Sequence, residues 1–130
     1  MIADDEPTIR DVTRMILEDA GYEVITAGDG NEAIQKIMVE MPNLVLLDIL
    51  MPGMDGFEVC RVLKSDSKTK QIPIVMFTVR SRADGYEYAR QVGCDGYFTK
   101  PFAPNDLVAE VEKHLRLITL IKNSSQKDIH

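Results

Sequence analysis

Asp4, Asp5, Asp48, Thr78 and Lys100 are the residues of this 130-residue chain whose types could act together. A carboxylate can attack phosphorus as a nucleophile. An ammonium and a hydroxyl beside it can hold the oxygens of a phosphoryl group, and transfer of that group needs little beyond positioning and neutralised charge. Three carboxylates gathered in one place also repel: two charges about 5 Å apart at an effective dielectric of about 20 cost roughly 3 kcal/mol. A resident cation relieves that repulsion, or one acid stays protonated. An all-oxygen ligand set with room for water suits Mg²⁺, which bridges readily to a phosphate oxygen. Taken singly, each residue has an ordinary reading: an Asp capping a helix, a Lys on the surface, a Thr ending a strand. Their joint placement carries the chemistry.

That placement depends on the elements, which alternate apolar runs with helical periods. Met1-Ile2-Ala3 is a short strand running into the acidic pair. Pro7 to Ala20 has helical spacing, with Ile9, Val12, Ile16 and Ala20 on one face; Pro7 suits the first turn and Gly21 the stop. Tyr22 to Ala27 reads as a strand, and Glu32 to Met41 as a helix with Ala33, Ile34, Ile37 and Met41 as its apolar stripe. Leu44 to Leu47 is wholly apolar, the pattern of a strand buried on both faces of a parallel sheet, and it ends at Asp48. A turn-rich loop leads into a helix from Phe57 to about Lys64. Ile72 to Thr78 is another buried strand, Ser81 to Val92 a weaker helix, Tyr97 to Thr99 the last strand, and Pro104 opens a long helix. Five strands alternating with five helices specify an α/β fold with a parallel sheet and right-handed crossovers. The carboxyl ends of such strands share one edge, where ligands bind. Each of the five residues stands at one of those ends.

Composition narrows the classes further. The length suits one compact domain, read as residues 1–121, with 122–130 as a polar C-terminal tail or linker stub. No apolar run approaches the ~18 residues of a membrane span, and no basic-then-apolar leader opens the chain. A cytoplasmic protein without membrane contact is therefore expected. The net charge of −6, with cations scattered among acids, argues against direct nucleic-acid binding by this segment. Cys60 and Cys94 have no CxxC neighbour and no His at ligand spacing, so they read as reduced, small hydrophobes rather than zinc ligands.

Four motifs stand in matching order and spacing: Ala3-Asp4-Asp5-Glu6-Pro7, the run from Leu46 through Asp48 to Gly56, Met76-Phe77-Thr78, and Tyr97-Phe98-Thr99-Lys100-Pro101-Phe102. Together they resemble the receiver domain of bacterial and archaeal response regulators, over Met1 to about Leu117. The resemblance implies a flavodoxin-like five-stranded parallel sheet, order 2-1-3-4-5, with helices on both faces. It implies Asp48 as phosphoacceptor. Mg²⁺ would be bound by Asp5 and Asp48, by the backbone carbonyl of Leu50, and by Asp4 through water. Thr78, Lys100 and the backbone amide of Val79 would contact the phosphoryl oxygens. Thr78 and Tyr97 look like the switch pair, the hydroxyl moving toward the phosphate and the ring following into the vacated space. The bond before Pro101 is expected to be cis, aiming the Lys100 ammonium into the site.

The same resemblance implies a signalling switch rather than an enzyme, promoting only its own phosphorylation and dephosphorylation. Its donor would be a sensor histidine kinase or phosphotransfer protein. Its output, an unidentified domain or protein, would be controlled through the fourth helix, last strand and fifth helix, with a homodimer among the open assemblies. A phosphoryl group adds roughly −1.5 to −2 charge and acts by preferring one of two existing conformations. The fourth helix, with little large apolar surface from Ala83 to Arg90, is expected to be the loosely held element.

The chain also departs from the family. Only Met1, Ile2 and Ala3 precede the acidic pair, so the first strand reads as truncated. About three missing buried apolar side chains correspond to roughly 5–9 kcal/mol. A clipped start is the favoured explanation, ahead of a sequence that begins mid-chain or a second chain filling the gap. Val79 stands where the family has Ala or Gly, Leu50 cannot orient a hydrolytic water, and Arg80 could shield the phosphoryl group; a long-lived phosphoryl group is expected. The apolar set 107, 111, 115, 118 and 121 extends the last helix past the usual end, to cover its own sheet, pair with a partner helix or lead to an output domain.

Three rival readings remain. A phosphohydrolase of the haloacid-dehalogenase type needs a second acid where Leu50 stands. A flavin module needs a phosphate-cradling loop where Asp5-Glu6-Pro7 would repel phosphate. A docking scaffold that has lost phosphorylation would keep the fold without using the site.

Overall fold

The computed structural model describes residues 1–129; the side chains of 118, 119 and 121 onward lie outside the description. In chain order the elements are β1 (Ile2–Ala3), α1 (Pro7–Asp19), β2 (Thr26–Ala27), α2 (Gly30–Glu40), β3 (Val45–Leu47), α3 (Gly56–Ser65), β4 (Ile74–Thr78), α4 (Arg82–Gln91), β5 (Gly96–Thr99) and α5 (Pro104–Ile129). The strands form one parallel sheet in the order β2-β1-β3-β4-β5. This is the flavodoxin-like arrangement, with the first strand only two residues long.

Alternate residues of each strand bury into opposite layers, as the pleat requires. Ala3, Val45, Leu47, Ile74, Met76 and Tyr97 pack under α2, α3 and α4, against Ala33, Ile37, Val59, Leu63 and Ala89. Ile2, Leu46, Val75 and Phe77 pack on the other face, against Leu17 of α1 and Leu107 and Val111 of α5. Side-chain caps start three of the helices. Asp29, Asp55 and Ser81 each accept the amide three residues on, from Glu32, Glu58 and Asp84, satisfying a donor with no partner inside the helix. α1 starts instead on Pro7, which lacks that donor.

Several local expectations are corrected. The α1 face that packs on the sheet is Ile9, Thr13, Ile16 and Leu17; Val12 is exposed, and Ala20 lies beyond the helix as an exposed cap residue. Thr13 can be buried because its hydroxyl donates to the Ile9 carbonyl at 2.7 Å. Met41 is likewise exposed, because it ends α2 in the left-handed conformation, φ 47°, and leaves the helical stripe. Tyr22–Ile25 do not extend β2. A strand needs a partner along its length, and β2 pairs only with the two residues of β1. α5 runs on through 122–129, positions whose polarity reads as a tail, because helix bonds are made within the segment itself. Leu107 and Val111 are buried and Leu115 packs partly on the core, whereas the seam positions Ile118 and Ile121 fall among the undescribed side chains. No described helix is long and apolar enough to cross a membrane.

Candidate functional site

Parallel register carries four separate chain segments to one edge. Asp4 follows β1, Asp48 follows β3, Thr78 ends β4 and Lys100 follows β5. Ladder bonds hold them there: the Asp48 amide donates to the Ala3 carbonyl at 2.9 Å, and the Lys100 amide to the Thr78 carbonyl at 2.8 Å. A cavity of about 380 Å³ lies at the opposite edge, between Met1, Tyr22–Ile25 and Leu44, well away from these groups.

The three carboxylates converge, with one oxygen from each of Asp4, Asp5 and Asp48 lying within 4.8 Å of the others. Asp4 and Asp48 are buried and Asp5 faces solvent. The Lys100 ammonium bridges the buried pair, donating closely to Asp4 Oδ2 and at 3.4 Å to Asp48 Oδ2. Its side chain is itself buried, with Nζ 5.0 Å from the Phe77 ring centre, a favourable seat for a cation. Three carboxylates against one ammonium leave two formal negative charges, which a divalent cation matches. All-oxygen donors, one of them open to water, fit Mg²⁺.

The remaining lone pairs of the acids are tied to backbone. Asp4 Oδ1 accepts the Glu6 amide at 3.0 Å, closing the turn into α1, and Asp48 Oδ1 accepts the Leu50 amide at 3.2 Å. Burial pushes the Asp48 carboxyl above the usual range. The Lys100 ammonium pulls it back down, the Asp4 charge raises it, and the Leu50 amide and Thr78 hydroxyl lower it again. Of the groups that favour the ionised carboxylate, Lys100 is the cation and the other two are neutral hydrogen-bond donors.

Thr78 is buried, and its hydroxyl accepts the Arg80 amide at 3.3 Å. Tyr97, only 5% exposed, donates its hydroxyl to the Arg80 carbonyl at 2.8 Å and the Ser81 carbonyl at 3.2 Å. The Lys100–Pro101 bond is cis. Leu50 and Val79 stand exposed on the rim, at 53% and 64%. The Arg80 guanidinium lies 5.7 Å over the Phe57 ring, and among the described residues no ion pair joins it to Asp48. Cys60 and Cys94 are away from this edge; burial pushes their thiols up to about 12 and about 11, so both stay protonated.

Two contributors escaped sequence reasoning. Arg10, one turn into α1, donates from Nη1 to the Asp4 carbonyl at 2.8 Å and so clamps the acidic turn. Gly56 opens α3 so close to Asp48 that a Cβ there would lie 2.3 Å from the Asp48 carbonyl oxygen. Gly56 had two signals, its place in a turn-rich loop and at the end of the motif that runs from Leu46, but neither gave it a role; for Arg10 there was none.

Residues 1–112 match the family described as response regulator receiver domain. The chain belongs to that family. This receiver is 42% identical, over 116 residues, to the phosphate regulon transcriptional regulatory protein PhoB of Pseudomonas aeruginosa, covering 89% of this chain and 51% of that protein. It is 38% identical over 116 residues to the DNA-binding response regulator MtrA of Mycolicibacterium smegmatis, covering 89% and 50%. The chain thus spans about half the length of the curated relatives it matches. Among solved structures, the chemotaxis protein CheY4 of Vibrio cholerae superposes with a TM-score of 0.82 at 35% identity, over 86% of this chain and 93% of that one. As a receiver of two-component response regulators, the domain belongs to phosphorylation-dependent signalling.

Proposed function

We propose that Asp48 accepts a phosphoryl group from a phosphohistidine on a sensor kinase or phosphotransfer protein, and that the aspartyl phosphate sets the conformation of the α4-β5-α5 face toward an output domain or protein. The observation that carries this is the Lys100 ammonium shared between two buried carboxylates, Asp4 and Asp48, with Asp5 alongside. A carboxylate oxygen of Asp48 attacks phosphorus, the phosphorus–nitrogen bond of the donor breaks, and the imidazole leaves with that electron pair and takes up a proton. Lys100, Thr78 and the Val79 amide hold the phosphoryl oxygens through the transfer. Asp5, Asp48 and the Leu50 carbonyl would hold Mg²⁺ directly, and Asp4 through water. When bound, the ion supplies two positive charges against those of the carboxylates and phosphate. Thr78 then turns to the phosphate and Tyr97 follows it.

The receiver unit spans residues 1–121, with 122–130 leading away from it, and the domain turns over no substrate besides its own acyl phosphate. Direct nucleic-acid contact is left to an output partner. Leu50 and Val79, both apolar and exposed beside Asp48, leave no side chain there to orient a hydrolytic water, so the phosphoryl group is long-lived.

Incubation with Mg²⁺ and acetyl phosphate, followed by intact mass measurement, tests this. Wild type gains one phosphate and Asp48→Asn gains none; an unmodified wild type, or equal labelling of the variant, overturns the reading. After donor removal the label decays slowly, and rapid decay that persists with Leu50 intact and Arg80 changed counts against the lifetime.

A further inference from the structure

Gly85 sits inside α4, in ordinary helical conformation, where nothing about the backbone calls for glycine. Glycine is the poorest helix former after proline, and α4 is already the helix with little apolar anchorage. The reason for it lies across the interface. A Cβ at position 85 would stand 2.4 Å from the Tyr97 hydroxyl and 3.2 Å from its Cζ, with Arg80 Cδ at 3.3 Å on the other side. The Tyr97 ring occupies the space that any larger residue at 85 would fill.

That seat ties the ring to the start of α4. Its hydroxyl donates to the Arg80 and Ser81 carbonyls, and the Ser81 carbonyl also accepts the Asp84 and Gly85 amides that begin the helix, each at 3.1 Å. Tyr86, the next residue of α4, meets the Tyr97 ring edge-on with centroids 6.1 Å apart. We propose that Gly85 is the positioning residue that admits Tyr97 to its buried seat, so that the helix backbone at 85, and not Thr78 alone, sets how often the ring is in. The consequence for signalling rests on Thr78 and Tyr97 acting as the switch; the contact itself does not.

With no side chain at 85, the seat is open before any phosphoryl group arrives. On this proposal phosphorylation deepens an inward preference that the open seat already permits, rather than creating one. Adding a methyl group at 85 reverses the bias: it strengthens the helix while evicting the ring.

A double-mutant cycle over Gly85→Ala and Tyr97→Ala tests the proposal. Gly85→Ala lowers the melting temperature by several degrees when Tyr97 is present and raises it when Tyr97→Ala has removed the ring. Nitration of Tyr97, followed by peptide mass spectrometry, runs several-fold faster in Gly85→Ala than in wild type. Equal effects of Gly85→Ala in both backgrounds, or unchanged nitration, overturn the proposal. If Gly85→Ala alone fails to fold, folding restored by Tyr97→Ala supports it and failure in both overturns it. Beryllofluoride binding, read by fluorine NMR on the same proteins, keeps the two readings apart. Its absence from wild type removes the phosphoacceptor reading; its presence alongside an additive cycle removes only the role of Gly85.

Discussion

The two sides of the sheet hold the same site with different means. On one side, β3 and β4 share three residue pairs and β4 and β5 share four, with β3 and β4 buried throughout and β5 half-buried apart from Tyr97. On the other, β1 makes two pairs with β2 and two with β3. Asp48, Thr78 and Lys100 hang from the long side; Asp4 and Asp5 hang from the short one. The short side makes up the difference with polar clamps, since the Glu6 amide, the Arg10 guanidinium and the Lys100 ammonium all bind Asp4. An acidic turn can thus be held by polar clamps where apolar burial is scarce, but such clamps are sensitive to charge in a way that packed strands are not.

Core deletions give the largest contrast. Leu46→Ala, in the middle of β3, is expected to cost about 2–5 kcal/mol, whereas Val24→Ala, on the half-buried approach to β2, costs roughly 1 kcal/mol. Urea denaturation of both variants measures this, and equal losses would erase the distinction between the sides.

Next in size is the pH response of the short side. The Met1 ammonium donates to the Leu44 carbonyl at 3.1 Å, and burial lowers its pKa from 8.0 to about 6. Below pH about 6 it is charged in both the folded and unfolded chain, and the burial penalty is fully present. Between about 6 and 8 the unfolded chain binds more protons, so stability rises with pH, and above about 8 the penalty is gone. A shift of this size corresponds to roughly 3 kcal/mol. Urea midpoints at pH 5.5 and 8.5, with and without acetylation of Met1, isolate the effect, because acetylation removes that proton. A flat response in the unmodified protein would put the short side on a par with the long one.

The smallest effect concerns the clamp. Arg10→Ala removes one charge-assisted bond to the Asp4 carbonyl and is expected to weaken Mg²⁺ binding by about 1 kcal/mol, with little change in stability. Calorimetric titration of Mg²⁺ into both proteins measures it, and an unchanged affinity would mean that the acidic turn holds its shape without the guanidinium.

Strand and helix identity was legible because period and burial agree locally. Leu44–Leu47 and Ile72–Phe77 are apolar runs, and the central strands Val45–Leu47 and Ile74–Thr78 fall on them, while Asp29, Asp55 and Ser81 cap their helices. Tyr22–Ile25 look as strand-like as their neighbours, yet a strand is a property of a pair, and β1 pairs in register only with Thr26 and Ala27, its one further bond being from the Ile2 amide to the Ile25 carbonyl. Val12 and Thr13 show the same limit on a helix: hydrophobicity favours Val12, but the packed face includes Thr13, whose hydroxyl is satisfied four residues back.

By itself, the order of residues determined the family, the alternation of elements, and which five side chains stand at strand ends, because those are facts of type and spacing. Only the tertiary structure decided that Lys100 bridges Asp4 and Asp48, that Arg10 and Gly56 serve the site, and that Gly85 faces Tyr97. Each of those contacts joins different elements, with the ones to Lys100 spanning 96 and 52 residues, and distance across a sheet or between layers is set by how elements pack rather than by anything written along the chain.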